Sequence, residues 1–298
     1  MPGLATALAL FLANSELPAA SAASVLPGTV DIEIIKTRSD ADHRMTVPVR
    51  IGEQGTFHFV IDTGSQTTVL STDLARRLSL PHARTARIVG IGGTGTVSTA
   101  IVEELALGKR SLYALEVALL EAEHIGADGI VGIDSLQKQR VLLDFHRNTL
   151  AVGDAKSLGG NRGFEIVVTA RRRLGQLIVT DAVIDGVRTD VVIDSGADTS
   201  IGNRALQNAL SRRKTNEQAI LISVTGQRIT ADIGYPRKLE IGAIGITNLL
   251  VAYADTPVFP VLGLERKPAL LLGMRELRLF KRVAIDFEKR KVYFDTPE

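Results

Sequence analysis

The sequence contains no cysteine and no tryptophan, and each absence excludes a class of protein. Without cysteine there is no disulfide scaffold, no thiol nucleophile and no cysteine-ligated zinc or iron–sulfur site. Aromatic residues make up only 4% of the chain, and 35 basic residues are balanced by 33 acidic ones. The chain therefore lacks both the stacking surface and the strong positive field that nucleic-acid-binding proteins use.

The rest of the composition is that of a globular protein with a large core. Hydrophobic residues make up 45% of the 298 positions, and the mean hydropathy is +0.16. This length suits one large domain or two domains of roughly 130 to 150 residues. The five histidines are widely spaced and all lie in the first half of the chain. They form no metal-ligand pattern, so we expect no metal site.

The N-terminal segment predicts export. An apolar stretch from Leu4 to Ala13 is followed by a run of small residues at 19–23 with an Ala-x-Ala pattern. Ten apolar residues are too few to span a bilayer. We therefore predict a signal peptide over residues 1–23 and export of the protein, although Met1 to Leu4 lacks a basic residue. No later segment resembles a membrane span.

An internal repeat is the most informative feature of the sequence. With an offset of 132 residues, segments 60–78 and 192–210 are identical at seven of nineteen positions. A repeat of about half the chain predicts two similar lobes rather than two unrelated domains. We place the N-terminal lobe at 30–153, a glycine-rich linker at 154–163 and the C-terminal lobe at 164–298.

Each copy predicts the same local structure. An apolar run enters an Asp-[Thr/Ser]-Gly turn, and a short helix follows with an N-cap residue at Ser71 or Asn203. Many short strands and frequent turn signals surround these units. The sequence therefore predicts a mainly β protein of two similar lobes, which can pack about a pseudo-twofold axis.

The repeated aspartates Asp62 and Asp194 are the candidate catalytic residues. If the two turns face each other across the axis, the carboxylates lie too close for both to ionise, so they share one proton. Such a pair can hold a water, remove its proton as it attacks a carbonyl, and protonate the carbonyl oxygen. A single Asp-Thr-Gly would be an ordinary turn, but two in register favour catalysis.

The residues next to the aspartates fit this role. Gly64 and Gly196 allow a tight turn whose N–H groups can reach the carboxylates. The hydroxyls of Thr63 and Ser195 can form hydrogen bonds across the axis and brace the two turns.

These turns resemble the active-site turns of aspartic proteases, and residues 196–198, Gly-Ala-Asp, are especially similar to retropepsins. The resemblance extends to the apolar-apolar-Gly segments at 130–132 and 271–273. It implies a single-chain, bilobal retropepsin-like endopeptidase, similar to bacterial exported ones and located in the bacterial periplasm or secreted. In this arrangement two closed β lobes related by a pseudo-twofold axis form a monomeric pseudo-dimer. The resemblance further implies an extended peptide substrate in a cleft between the lobes and hydrolysis without metal or cofactor.

Two glycine-containing hairpins resemble the flaps of that family. The first is rich in glycine, so its backbone can approach an extended substrate. The second has fewer glycines, so the two flaps need not be equivalent. The predicted flap and substrate-binding residues are Gly90, Ile91, Gly92, Gly93, Thr225 and Gly226.

Two other functions remain open at this stage. One is a catalytically inactive peptide-binding or regulatory protein on the same fold, although both aspartates are present. The other is an acid–base hydrolase of sugars, which also uses two carboxylates but separates them by about 5 to 9.5 Å. The low aromatic content disfavours a sugar-stacking cleft.

Some repeated or clustered charges have a structural interpretation. Asp144 and Asp286 repeat at the ends of apolar runs, and we expect them to bond backbone in turns. The basic clusters at 171–173, 212–214 and 289–291 are expected to be solvated turns or helix ends, with an acidic partner left possible.

Overall fold

The computed structural model describes residues 11–12, 33–36, 38–39, 44–108, 110–136, 139–156, 158, 160, 164–210 and 216–296. Most of the predicted signal peptide and part of the predicted linker lie outside these residues. Within them, no helix is long and apolar enough to cross a membrane. The lobe boundaries drawn from the repeat stay predictions.

The described residues form strands and six short helices. The strands of the first half are β1 (Phe11–Leu12), β2 (Glu33–Lys36), β3 (Arg38–Ser39), β4 (Met45–Ile51), β5 (Thr56–Ile61), β6 (Val69–Ser71), β7 (His82–Gly90), β8 (Gly93–Leu107), β9 (Arg110–Leu120), β10 (Gly129–Val131), β11 (Arg140–Asp144) and β12 (Thr149–Gly153). Those of the second half are β13 (Ile166–Thr169), β14 (Arg171–Arg173), β15 (Gln176–Ile184), β16 (Val187–Ile193), β17 (Ser200–Gly202), β18 (Gln218–Ile222), β19 (Arg228–Gly234), β20 (Lys238–Ile241), β21 (Ile244–Thr247), β22 (Val251–Tyr253), β23 (Ala269–Leu272), β24 (Arg282–Asp286) and β25 (Lys291–Asp295). The helices are α1 (Thr72–Arg77), α2 (Ala122–Ile125), α3 (Ile133–Leu136), α4 (Arg204–Ala209), α5 (Val258–Val261) and α6 (Met274–Leu277).

The mainly β, two-lobed architecture predicted from the sequence is confirmed. One sheet, in the order β1-β7-β8-β9-β6-β10-β5-β4-β3, belongs to the first lobe. A second, in the order β18-β19-β22-β17-β23-β16-β15-β20-β21 with β14 added beside β15, belongs to the second lobe. The third contains strands of both lobes.

The two copies of the repeat fold in the same way. In the first lobe β10 lies between β5, to which it is parallel, and β6, to which it is antiparallel. In the second lobe β23 lies in the same way between β16 and β17. The predicted N-caps are present as well: the side chain of Ser71 accepts a hydrogen bond from the Leu74 N–H, and that of Asn203 from the Leu206 N–H. The repeat in the sequence is therefore a repeat in structure.

The third sheet joins the lobes at the pseudo-twofold axis, and it was not predicted. Its order is β13-β25-β24-β11-β12-β2, so that three strands come from each half of the chain. The central pair is β11 and β24, which are antiparallel with Leu142 opposite Ala284. Because both central strands are buried, this sheet couples the stability of the two lobes.

A buried ion pair lies in this central strand pair. Arg140 faces Asp286, and its Nη2 lies 3.0 Å from the Asp286 Oδ2, with both side chains almost completely buried. The Arg140 guanidinium also stacks on the Tyr293 ring, 4.2 Å from its centroid. As predicted, Asp144 and Asp286 bond backbone in turns, accepting the N–H groups of Arg147 and Lys289. Asp286 thus pairs with a buried arginine, whereas Asp144 pairs at 3.8 Å with Arg147, whose side chain is exposed.

The prediction for one basic cluster was wrong. Residues 171–173 form a strand, β14, rather than a turn or a helix end, because they find backbone partners on β15. All three arginine side chains are exposed. In the cluster at 289–291 the first two residues do form a turn. The cluster at 212–214 lies outside the described residues.

We predict that Arg140→Ala lowers the free energy of unfolding by about 3 kcal/mol, because it leaves the Asp286 charge buried without its partner. Arg188 is the matched control, since it forms an ion pair with Asp181 in which both side chains are 75% exposed. Arg188→Ala should cost less than about 1 kcal/mol. Urea unfolding of both variants measures the difference, and equal losses would contradict the importance assigned to the buried pair.

Candidate active site

The strand ends bring the two repeated aspartates to equivalent positions. The Asp62 N–H donates to the Val131 carbonyl at 3.1 Å, and the Asp194 N–H donates to the Leu272 carbonyl at 3.0 Å. The glycines that end β10 and β23 permit this close approach. A Cβ atom on Gly273 would lie 2.9 Å from the Asp198 carbonyl oxygen, so a larger residue there would displace the active-site loop.

Each carboxylate is held by the N–H groups of its own turn. The Asp62 Oδ1 accepts from Gly64 at 2.7 Å and from Ser65 at 2.9 Å. The Asp194 Oδ1 accepts from Gly196 at 3.0 Å and from Ala197 at 3.2 Å. Both side chains are fully buried; the two carboxyl groups bond to each other, and no protein group outside the pair bonds to either Oδ2. The two Oδ2 atoms are therefore available to a water or a substrate.

The turn glycines show that the two carboxylates meet across the axis. A Cβ atom on Gly64 would lie 2.6 Å from the Asp194 Cγ, and one on Gly196 would collide with the Asp62 carboxylate. Each glycine therefore faces the aspartate of the opposite lobe. Only glycine leaves room for a carboxylate at this distance from the backbone.

The hydroxyls of Thr63 and Ser195 interlock the two turns. The Thr63 N–H donates to the Ser195 Oγ at 3.0 Å, and the Ser195 N–H donates to the Thr63 Oγ1 at 3.1 Å. Each hydroxyl then donates to a carbonyl of the opposite lobe, Thr63 to Ile193 at 3.0 Å and Ser195 to Ile61 at 2.9 Å. Four buried hydrogen bonds thus fix the distance between the aspartates.

The environment favours a shared proton. Burial raises the pKa of Asp62 to about 7, against the opposing effect of the turn N–H groups. Burial also raises the pKa of Asp194 well above its usual range, and the charge of Asp62 raises it further. Because two like charges this close cannot both persist, the pair retains a proton where an ordinary aspartate has none.

The two flap hairpins exchange their tips between the lobes. Gly90 and Gly93 pair at the end of the β7–β8 hairpin, and Ile91 in its turn is 1% exposed. Ile91 belongs to a buried cluster of the second lobe that includes Leu221. Val224, in the turn between β18 and β19, is also 1% exposed and belongs to a cluster of the first lobe. Each tip therefore inserts into the other lobe.

The flap tips also contact each other. A Cβ atom on Gly92 would lie 2.7 Å from the Gln227 Cβ and 2.8 Å from the Ser223 Oγ. The Thr225 hydroxyl bonds to the Ser223 hydroxyl at 2.7 Å, and Gly226 faces the His124 ring. The predicted flap glycines Gly92 and Gly93 thus lie at the contact between the flaps.

Sequence reasoning missed several residues of this site. Val224, which precedes the predicted flap residues Thr225 and Gly226, is buried in the opposite lobe as Ile91 is, and its apolar side chain is the signal that could have added it to the predicted flap residues. Behind the turns, the Thr68 N–H donates to the Asp134 carboxylate at 2.8 Å, and the Ser200 hydroxyl bonds to Glu276 at 2.5 Å. Burial raises the pKa of both acids. These acids are 142 positions apart, the offset already seen for Asp144 and Asp286.

The two halves of the site are not identical. Arg44 and Gln176 occupy equivalent positions 132 residues apart, and each is 1% exposed. The Arg44 Nη2 donates to the Ile125 carbonyl at 2.8 Å, and its charge lowers the pKa of Asp62 against the effect of burial. Gln176 is neutral, and its Nε2 donates to the Gly64 carbonyl. The dyad therefore lies in an asymmetric field.

The comparison with protein families identifies the class of protein. Residues 47–135 and 180–275 match, as two separate copies, the sequence model of the family described as aspartyl protease. The matches contain both turns and together cover more than half of the chain. The chain belongs to the aspartyl protease family, and its two-lobed fold is retropepsin-like.

A curated relative gives a more distant comparison. The chain is 23% identical over 202 residues to the DNA damage-inducible protein 1 of Kluyveromyces lactis. The match covers 67% of this chain and 48% of that protein. The chain thus spans about half the length of the curated relative that it matches.

We predict that Asp62→Asn stabilises the fold increasingly as the pH rises. The pKa of Asp62 is near 3.9 in the unfolded chain and about 7 in the folded protein. Between these pH values the aspartate ionises only in the unfolded state, which favours unfolding, so the wild-type protein becomes less stable as the pH rises. Asn retains the turn hydrogen bonds and cannot ionise. The variant should gain about 2 to 4 kcal/mol over wild type between pH 4 and 7.

Asp232 provides a control of opposite sign. Hydrogen bonds from Gln207, Gln218 and Arg204 lower its pKa to about 2, so its ionised form stabilises the fold above the unfolded pKa and this stabilisation is lost as the pH falls toward 2. Asp232→Asn should therefore be less stable than wild type at pH 7. Unfolding curves at several pH values test both, and an Asp62→Asn gain that does not depend on pH would contradict the raised pKa.

Proposed function

We propose that the protein is an aspartic endopeptidase whose catalytic residues are Asp62 and Asp194. The observation that carries the proposal is the pair of buried carboxyl groups, face to face, whose Oδ2 atoms receive no hydrogen bond from any protein group outside the pair. A structural aspartate satisfies both of its oxygens when it is buried, since an unsatisfied buried acceptor is costly. Two neighbouring buried aspartates that depart from this rule favour a catalytic site over a structural one.

The mechanism follows from one shared proton. A water held between the Oδ2 atoms gives a proton to the ionised carboxylate as its oxygen attacks the peptide carbonyl carbon. The protonated carboxyl gives its proton to the carbonyl oxygen, which yields a neutral tetrahedral diol. As the diol collapses, one of its hydroxyls gives its proton to the ionised carboxylate, the C–N bond breaks, and the other carboxyl gives its proton to the leaving amine, so the dyad again holds one proton. The hydrogen bond from the Asp194 carboxyl, and more weakly the charge of Arg44, favours Asp62 as the ionised partner.

In this proposal the flaps provide the backbone groups that bind the substrate. An extended peptide between the lobes can pair with the glycine-rich backbone of residues 90–93, as in strand addition to a sheet edge. Because both aspartates are fully buried under the closed flaps, the flaps must separate before a peptide can reach them. Ile91 and Val224 would then leave their buried positions. Export and a monomeric state remain predictions that accompany this function.

A protein that binds peptides without cleaving them would use the same cleft. The Oδ2 atoms, which receive no hydrogen bond from outside the pair, favour hydrolysis over this alternative, since binding alone does not require two buried acids. The cleavage assay described in the next paragraph separates the two functions.

We predict that Asp62→Asn and Asp194→Asn each reduce cleavage of a diverse peptide mixture by at least about 1,000-fold, because each removes one half of the proton relay. Asp144→Asn is the matched control: Asp144 is also a repeated, buried aspartate, but its carboxylate bonds a turn N–H that Asn can still satisfy. Activity is measured from about pH 3 to 8 on protein verified as folded.

The outcomes distinguish the proposals. Loss of cleavage in both dyad variants, with full activity in Asp144→Asn, supports the endopeptidase. Peptide binding without cleavage by folded wild type at every pH would leave the binding-protein alternative. Substantial turnover by either dyad variant would refute the assignment of the catalytic residues.

We further predict that a disulfide between the flaps blocks the site. The chain has no cysteine, and a Cβ on Gly92 lies against the Gln227 Cβ, so Gly92→Cys with Gln227→Cys can form a bridge after a small shift. The oxidised double variant should lose peptide cleavage, and reduction should restore it. Each single variant serves as control. Full activity of the oxidised form would show that peptides reach the dyad without separation of the flaps.

A further inference from the structure

One edge of the first flap is occupied by a strand from the N-terminal segment of the same chain. On one side the flap strand β7 pairs with β8. On its other side β7 pairs with β1 in the antiparallel direction, so that Phe11 lies opposite Val89 and Leu12 opposite Ile88. Val89 directly precedes Gly90, the last residue of β7 before the flap turn. Strand β1 therefore lies on the flap beside its tip.

This end of β7 lies between the lobes. The side chains of Ile88 and Val89 are 0% and 2% exposed. Ile88 belongs to a buried cluster that contains Val224 of the second flap, and Val89 belongs to one that contains Ile178 of the second lobe. By contrast, residues 93–98 of β8 alternate between half-buried and exposed. The β7 side of the hairpin is thus the inner side, and the β8 side is the outer one.

A peptide bound to the flap would need the same edge. In the proposed function an extended peptide pairs with the backbone of residues 90–93, and a peptide that continues along the inner side of the hairpin reaches residues 88 and 89. The main-chain groups along one edge of a strand pair with one neighbouring strand at a time. Strand β1 and a peptide therefore exclude each other at this position.

The sequence of the N-terminal segment suits a position between the lobes. Residues 10–13 read Leu-Phe-Leu-Ala, and no charged residue occurs from Met1 to Ser15. Pairing with β7 therefore brings no charge out of water, which would be costly. A partner within the same chain acts at an effective concentration on the order of millimolar. Pairing of only two residues can then compete with a free peptide.

Strand β1 is not part of the duplicated fold. At the offset of 132 its residues correspond to 143–144, which lie in β11 and thus in the shared sheet. In the second lobe β18 and β19 form the flap hairpin, and among the described residues no strand lies on the outer edge of β18. That lobe completes its sheet without such a strand. We therefore expect the first lobe to fold without β1 as well.

We propose that the N-terminal segment competes with peptide substrates for the inner edge of β7, so that a chain that retains the segment is less active than one that has lost it. The inference rests on the proposed endopeptidase function. Removal of the predicted signal peptide at 1–23 would take β1 with it and leave the edge to an extended peptide. The competition acts on substrate binding, and the dyad itself is unchanged.

The test uses full chains whose N-terminus is verified as intact by mass spectrometry. Phe11→Pro with Leu12→Pro removes both main-chain N–H groups of β1 and should release the edge, whichever of the two points to β7. For a cleavable peptide this variant should have a KM at least about fivefold lower than wild type, the effect of about one net hydrogen bond, with kcat unchanged.

Phe11→Val with Leu12→Val is the matched control. It keeps both main-chain N–H groups and places an apolar residue of high strand propensity at each position, so its KM should stay near that of wild type. Amide hydrogen exchange at residues 88 and 89 gives a readout that does not depend on activity. Exchange there should be at least about fivefold faster in the proline variant than in the valine variant.

A binding measurement separates failure of this inference from failure of the proposed function. Both pairs of substitutions are also made in Asp62→Asn protein, and the affinity for the same peptide is measured, so that competition is detected even if wild type cleaves nothing. Tighter binding by the proline variant supports the inference. Equal peptide affinity of the proline and valine variants, or equal exchange at residues 88 and 89, would overturn it.

Discussion

Two carboxylates buried against each other set the constraint on which the rest of this structure depends. Like charges without water are unfavourable, so the pair must share a proton, receive turn N–H groups and be prevented from moving apart. The chain meets these needs with the hydrogen bonds from Gly64 and Gly196 and with the interlocked hydroxyls of Thr63 and Ser195. These hydrogen bonds do not fully offset the cost of burying the charges, so the pKa values of both aspartates stay raised. In the proposed mechanism these are the two residues that transfer protons.

The lobes are coupled at three levels, and each uses the same pseudo-twofold axis. The sheet centred on β11 and β24 joins them at the base, the interlocked turns join them at the dyad, and the flap tips join them above it. Ile91 and Val224 are buried in the opposite lobes without being part of either sheet. The flap contact is thus the one that can open while the base and the turns keep the aspartates together.

Much of this arrangement could be predicted from the sequence, because duplication turns a weak motif into a strong one. One Asp-Thr-Gly is an ordinary turn, but Asp62 and Asp194 in register predicted the fold class, and local rules predicted the caps at Ser71 and Asn203. The shared sheet and the Arg140–Asp286 pair could not be predicted, since they depend on long-range pairing. Strand β14 was missed because arginine is not among the residues enriched in strands, and its strand structure depends on pairing with β15.

The most direct test of the central claim is whether the two aspartates act as one unit. Peptide cleavage would be measured for Asp62→Asn, for Asp194→Asn and for the double variant under the same conditions. If the carboxylates share one proton and one water, each single replacement should cost as much activity as both together, because residues that act as a unit are not additive. If instead the losses multiply, each aspartate contributes independently, and that result would contradict the shared-proton dyad.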